Sequence, residues 1–186
     1  MDRERLRKTP GGQGSMMHRM AFAVMASIGL GAVMTIGDWA WAALELRHRV
    51  AYGLIHGALM CLCLGLAVGV RAGRPAGAAL AGPVIGVIAA ASFYAMAPML
   101  RWNAMFPAWM LLWMLFALLQ QRLSRKESTA IALARGVAAA LVSGAAFYAI
   151  SGIWVNDSHT DPNLLRHFGA WTVAFLPGFV ALFLRR

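Results

Sequence analysis

Residues 50–70, VAYGLIHGALMCLCLGLAVGV, run for 21 positions without a formal charge at neutral pH. At 1.5 Å per residue such a run makes one helix of roughly 30 Å, the thickness of a bilayer's hydrocarbon. Gly53, Gly57, Cys61, Gly65 and Gly69 recur every fourth residue along it, so one side of the helix is nearly bare of side chains. In lipid, close backbone approach along such a side drives helix association, because the hydrophobic effect no longer distinguishes neighbours. The segment reads as the central packing strut, with His56 on a different side of it.

The rest of the chain follows the same plan. Of 186 residues, 60% are apolar and 13% charged, which leaves room for a single membrane domain and for no soluble one. The net charge of +10 comes from basic residues placed between apolar runs. They act as topology signals, not as a nucleic-acid patch. Cys61 and Cys63 fall about 200° apart on a helix, so they cannot pair and read as small apolar packers.

Residues 1–15 (MDRERLRKTPGGQGS) form a basic, Gly-containing stretch expected to be a disordered cytoplasmic tail. The remainder, 16–186, predicts an all-α, polytopic transmembrane bundle of six spans at about 17–44, 50–70, 76–100, 104–121, 129–153 and 168–184. The basic leader and Ala40-Trp41-Ala42 also imitate a cleaved signal peptide; the length of the apolar run and Asp38 just before the cut favour a retained span. Arg71 to Pro75 closes the second span with a Gly and Pro turn. Pro83 and Pro98 are expected to bend the third and Pro177 the sixth, while Ser128 or Thr129 caps the fifth. Ala132, Gly136, Ala140 and Gly144 repeat the four-residue stripe, making the second and fifth spans expected neighbours. Trp154 to His167 is the longest polar connection.

Counted on alternate sides, with Arg19 taken with the N-terminal tail, twelve Lys and Arg residues fall on one side and four on the other, which places both termini in the cytoplasm. Trp39, Trp41, Trp102 and Trp154 gather near the outer interface, in agreement.

Ionisable groups inside spans mark candidate function, because a charge at the bilayer centre costs at least about 2.5 kcal/mol. Asp38 lies about six residues before the outer end of the first span and His56 about six after the outer start of the second, so both sit roughly 9 Å deep. Consecutive antiparallel helices can bring them together as a ligand-binding or proton-relaying pair; otherwise each finds water or a backbone carbonyl. Arg135, two turns inside the cytoplasmic end of the fifth span, either snorkels to the headgroups or holds an anionic group. Trp102, Phe106, Trp109, Trp113 and Phe116 form one aromatic face, which either lines a cavity for an apolar ligand or packs into bundle or lipid. Phe93-Tyr94 and Phe147-Tyr148 suit the same pocket.

The chain contains no HExxH, phosphate-cradling loop or GxSxG motif, and no cysteine or histidine set at metal spacing. No metal or cofactor is therefore expected, and enzyme or ion-pump chemistry is disfavoured. GALMCLCLGLAVGVRAGRP and FYAISGIWVNDSHTDPNLLRHFGAW resemble the second span with its Gly-Pro loop, and the fifth span with its polar connection, of the Insig (insulin-induced gene) family. That family consists of small six-span lipid- or sterol-binding membrane proteins. Its acidic residue late in the third span has no counterpart in ASFYAMAPM, and no site residue is carried over.

The leading expectation is a bacterial-type inner-membrane protein that binds a lipid-like or apolar molecule without enzymatic turnover. Trp109, Trp113, Tyr94 and Tyr148 would line the site, and Asp38 with His56, or Arg135, would fix the polar end. One alternative is the substrate-binding subunit of a vitamin-type uptake transporter, docking a partner helix or another copy through Ala23, Ser27, Gly31 and Thr35. The other is a membrane enzyme using Asp38 and His56 as acid and base.

Overall fold

The computed structural model describes residues 11–44, 48–125, 127–150 and 164–183. Six long helices account for nearly all of them: α1 (Gly11–Ala43), α2 (Arg49–Ala72), α3 (Pro75–Leu100), α4 (Met105–Ser124), α5 (Thr129–Ile150) and α6 (Leu164–Phe183), with a 3-10 turn at Arg101–Ala104. Five helical stretches are long and apolar enough to cross a membrane: Met16–Ala43, Arg49–Ala72, Pro75–Ser124, Thr129–Ile150 and Leu164–Phe183. The third is 50 residues long, about 75 Å if straight, and the 3-10 turn divides it into α3 and α4. Ile36, Leu80, Met99, Ile131 and Leu165 all stand more than half exposed on the outside. Long apolar helices with such an exterior are those of a multi-pass membrane protein.

Helix boundaries reflect local chemistry. Gly73, at φ 72°, ends α2; its N–H donates to the Val70 carbonyl, and the Arg74 N–H donates to that of Gly69, a Schellman closure. Pro75 then opens α3 at a position where its missing N–H costs nothing. Ser128 Oγ accepts from the Ile131 N–H at the start of α5. Residues 11–15, expected in the disordered tail, instead continue α1 toward its N-terminus. The expected tail over 1–10, the Trp154 loop through Asn163 and the C-terminal arginines lie outside the described residues.

Each helix packs on its neighbours in sequence, and α6 returns to α1, closing a ring. The α2 stripe meets α3. A Cβ on Gly65 would stand 2.3 Å from the Ala78 carbonyl oxygen, one on Gly69 2.7 Å from the Ala78 methyl, and one on Gly57 3.0 Å from the Gly86 oxygen. Cys61 completes the seam against Gly82 and Gly86, and the Tyr94 ring covers Gly53. The α5 stripe packs instead on α4, with Gly136 against Met114 and Gly144 against Phe106. The expected pairing of the second and fifth spans is thus corrected: each stripe is consumed by the adjacent hairpin partner, whose short connection brings it there first. The small face of α1 is also filled from within, since Gly31 abuts Thr172 and Phe168 of α6, while Ser27 and Thr35 are buried and donate to carbonyls of their own helix.

The largest fully buried side chains are Trp113, Phe116, Phe175, Phe179 and Phe183, from α4 and α6. Trp109 packs between Phe147 and Phe175 at ring distances of 5.2 and 5.3 Å, and Trp113 packs edge-on to Phe179 at 5.9 Å. Of the expected aromatic face, Trp109, Trp113 and Phe116 therefore form the centre of the bundle, while Trp102 and Phe106 stand exposed at its end. That centre is occupied by protein aromatics.

Candidate functional site

Asp38 is held at the junction of α1, α2 and α6. On α2, Tyr52 and His56 are one turn apart and share a face, as do His167 and Trp171 on α6. The antiparallel packing of both helices against α1 turns these two faces onto one carboxylate. The Tyr52 hydroxyl donates to Oδ1 of Asp38, and the Trp171 indole N–H donates to Oδ2 over 2.8 Å. His56 Nδ1 stands 3.5 Å from Oδ1 and His167 Nδ1 3.8 Å from Oδ2. The side chains of Asp38, His56 and His167 are 17%, 14% and 11% exposed, so the cluster is mostly enclosed but reachable.

Aromatic rings continue around it, with Trp41 against Tyr52 at 4.5 Å, Tyr52 against His56 at 5.0 Å and His56 against Trp171 at 5.6 Å. A shallow apolar groove of about 270 Å³, lined by Thr35, Ile36, Trp39 and Leu164, lies between α1 and the start of α6. Thr35 precedes Asp38, and Leu164 precedes His167, by about one turn of their helices.

Chemically, the carboxylate fixes its neighbours. The His56 imidazole lies within electrostatic reach of the Asp38 carboxylate at 3.5 Å, without closing a hydrogen bond to it, so the pair can hold a polar group between them or exchange a proton through one. Among the described residues no set of three His, Cys, Asp or Glu side chains is placed to hold a metal ion.

The other candidates lie elsewhere. Arg135 does not snorkel outward. Its guanidinium donates to Gln120 Oε1 over 2.8 Å, to the Leu182 carbonyl over 2.6 Å and to Glu127, tying α4, α5, the loop before α5 and the end of α6 together. Leu182 lies fifteen residues beyond His167 on α6, roughly 20 Å from the Asp38 cluster. Trp109 donates to Ser143 Oγ over 3.1 Å, and Ser143 in turn donates to the Ala174 carbonyl. The Tyr94 hydroxyl donates to the Arg49 carbonyl over 2.6 Å, and Tyr148 packs beside Phe106 and Phe147. Trp109 and Trp113 pack edge-on to each other at 6.5 Å inside the bundle, Arg135 ties its helices, and Tyr94 and Tyr148 pack half-buried between helices, so of the seven candidate ligand residues only Asp38 and His56 come together at the cluster.

Tyr52, His167 and Trp171 joined the cluster without having been singled out. The sixth span expected at 168–184 leaves His167 in the preceding connection, whereas the helix begins at Leu164 and turns His167 inward. The i, i+4 repeats of Tyr52 with His56 and of His167 with Trp171 are the signal that identifies them. Comparison with protein families, curated proteins and solved structures returned no match.

Proposed function

We propose that this protein crosses a bacterial-type inner membrane six times, with both termini cytoplasmic, and binds a lipid-like amphiphile whose polar end is held at the Asp38 cluster. The observation that carries the reading is Asp38 itself. An acidic side chain within an apolar helix is costly, and four side chains of α2 and α6 border or approach it, with an apolar groove open to the exterior about one turn away along α1. The Insig-like pattern of spans and loops supports the same ligand class. With the α4 aromatic face filled, the ligand's chain belongs in the groove of Thr35, Ile36, Trp39 and Leu164. Six crossings follow if the Arg101–Ala104 turn sends α4 back through the bilayer, as its packing on α2 and α3 supports.

A membrane enzyme is the second reading, favoured by the 3.5 Å approach of His56 to Asp38. An uptake-transporter subunit has less support, because Ser27, Gly31 and Thr35 are covered by α6 or buried.

Mass spectrometry of small molecules retained by the detergent-purified protein tests the main reading. Wild type should carry a lipid-like species that Asp38→Asn and His56→Ala lose. Equal retention by all three, or none by wild type, overturns it. For topology, single cysteines replacing Arg74 and Arg125, in a background lacking Cys61 and Cys63, should label from the cytoplasm, and one replacing Asn103 from outside.

A further inference from the structure

We infer that the polar end taken by this site is a cation, the ammonium head of a single-chain alkylammonium amphiphile. This rests on the proposed amphiphile site and adds the charge and shape of its ligand. Asp38 and Glu127 are the acidic side chains among the described residues. Glu127 is already paired with Arg135. Asp38 receives neutral donors from Tyr52 and Trp171 and the approach of two imidazoles, whose charge is conditional, and no Lys or Arg pairs with it among the described residues. A carboxylate in a span without a fixed counter-ion is complementary to a bound cation. An anionic head would be repelled there, and an uncharged alcohol would leave the charge uncompensated.

The surroundings fit the same class. Trp41, Tyr52, His56 and Trp171 run beside the carboxylate as a continuous set of rings. Aromatic faces next to a negative charge are the pairing that recognises alkylated ammonium groups, whose methyls prefer ring surface to water. The neighbouring groove offers apolar side chains of Ile36, Trp39 and Leu164 for the alkyl tail. Oδ1 is shared between the Tyr52 hydroxyl and His56, so an arriving cation competes with the hydroxyl for that oxygen.

The test is equilibrium binding of radiolabelled decyltrimethylammonium to the whole protein in maltoside micelles, with 1-decanol and decyl sulfate as chain-matched competitors. One saturable site per chain is expected, displaced by unlabelled ammonium and by neither competitor. Asp38→Asn should weaken it by about tenfold or more, equivalent to at least about 1.4 kcal/mol. Tyr52→Phe removes the competing donor and should tighten it by about threefold, a gain that a purely structural role for Tyr52 does not produce. If 1-decanol displaces the label as well as unlabelled ammonium and Asp38→Asn binds unchanged, the cationic assignment is overturned while the amphiphile site stands. If no probe binds and no lipid co-purifies, both fall. Should Asp38→Asn fail to fold, unchanged or weaker binding by Tyr52→Phe overturns the inference.

Discussion

The indole N–H of Trp171 donates to Oδ2 of Asp38 over 2.8 Å, so the last helix supplies a hydrogen bond to the acidic residue of the first. In an apolar surrounding the donor has no water to replace it. Trp171→Phe keeps most of the ring packing and removes the N–H alone. It should destabilise the protein by about 1–2 kcal/mol, seen as a lower thermal midpoint in detergent than Trp39→Phe, whose ring is half exposed. Equal midpoints would show that the contact contributes nothing to stability.

The α2–α3 seam predicts a sharp contrast among glycines. A Cβ on Gly86 would meet the Gly57 carbonyl oxygen at 2.1 Å, and one on Gly82 the Cys61 oxygen at 2.0 Å, whereas Gly77 has nothing within 4 Å. Backbone atoms cannot step aside as a side-chain tip does. Gly86→Ala and Gly82→Ala should each cost about 1–3 kcal/mol and spread the two helices, while Gly77→Ala should be neutral or slightly stabilising. Size-exclusion profiles and thermal midpoints of the three variants decide it.

Ser143 is fully buried, accepts from Trp109 and donates to Ala174, linking α4, α5 and α6. Ser143→Ala should cost about 1–2 kcal/mol because it leaves the indole N–H unpaired in the core. Adding Trp109→Phe removes the orphaned donor, so the double variant should lose less than the sum of the single ones. Strict additivity in a double-mutant cycle would disprove the coupling.

Arg135 and Glu127 make a different prediction. Their side chains are only 13% and 7% exposed, and removing one member of such a pair leaves the other charge without its partner. Glu127→Ala should therefore lower the thermal midpoint more than the double replacement Glu127→Ala with Arg135→Leu does. The reverse order would mean that the guanidinium's bonds to Gln120 and Leu182 matter more than the ion pair.

Much of the architecture was readable from the chain. Hydrophobic runs and the Gly73, Pro75 and Ser128 punctuation give helix ends close to those observed, because these signals are local. What each face touches was not readable. The Gly53 to Gly69 stripe announces close packing but not its partner, and a repeat on α5 suggested the wrong one. The aromatic periodicity of Trp109, Trp113 and Phe116 is the same whether the face looks at lipid, a cavity or Phe175 and Phe179. Arg135 has a stem long enough for the headgroups, and the three acceptors that hold it inward come from α4, the loop and α6. At the candidate site, depth counting set Asp38 level with His56, whereas His167 and Trp171 depended on how α6 closes against α1.

Because α1 is covered by α6, with Phe22 edge-on to Phe183 at 5.4 Å and Gly31 against Thr172, a helix made early pairs with one made more than a hundred residues later. Asp38 must wait in the bilayer, short of half its neighbours, until the Leu164–Phe183 helix has been added. A chain stopped before residue 164 thus carries an exposed intramembrane carboxylate, the kind of polar flaw that membrane proteases and insertion factors can detect, so the arrival of α6 becomes the step that licenses a stable bundle.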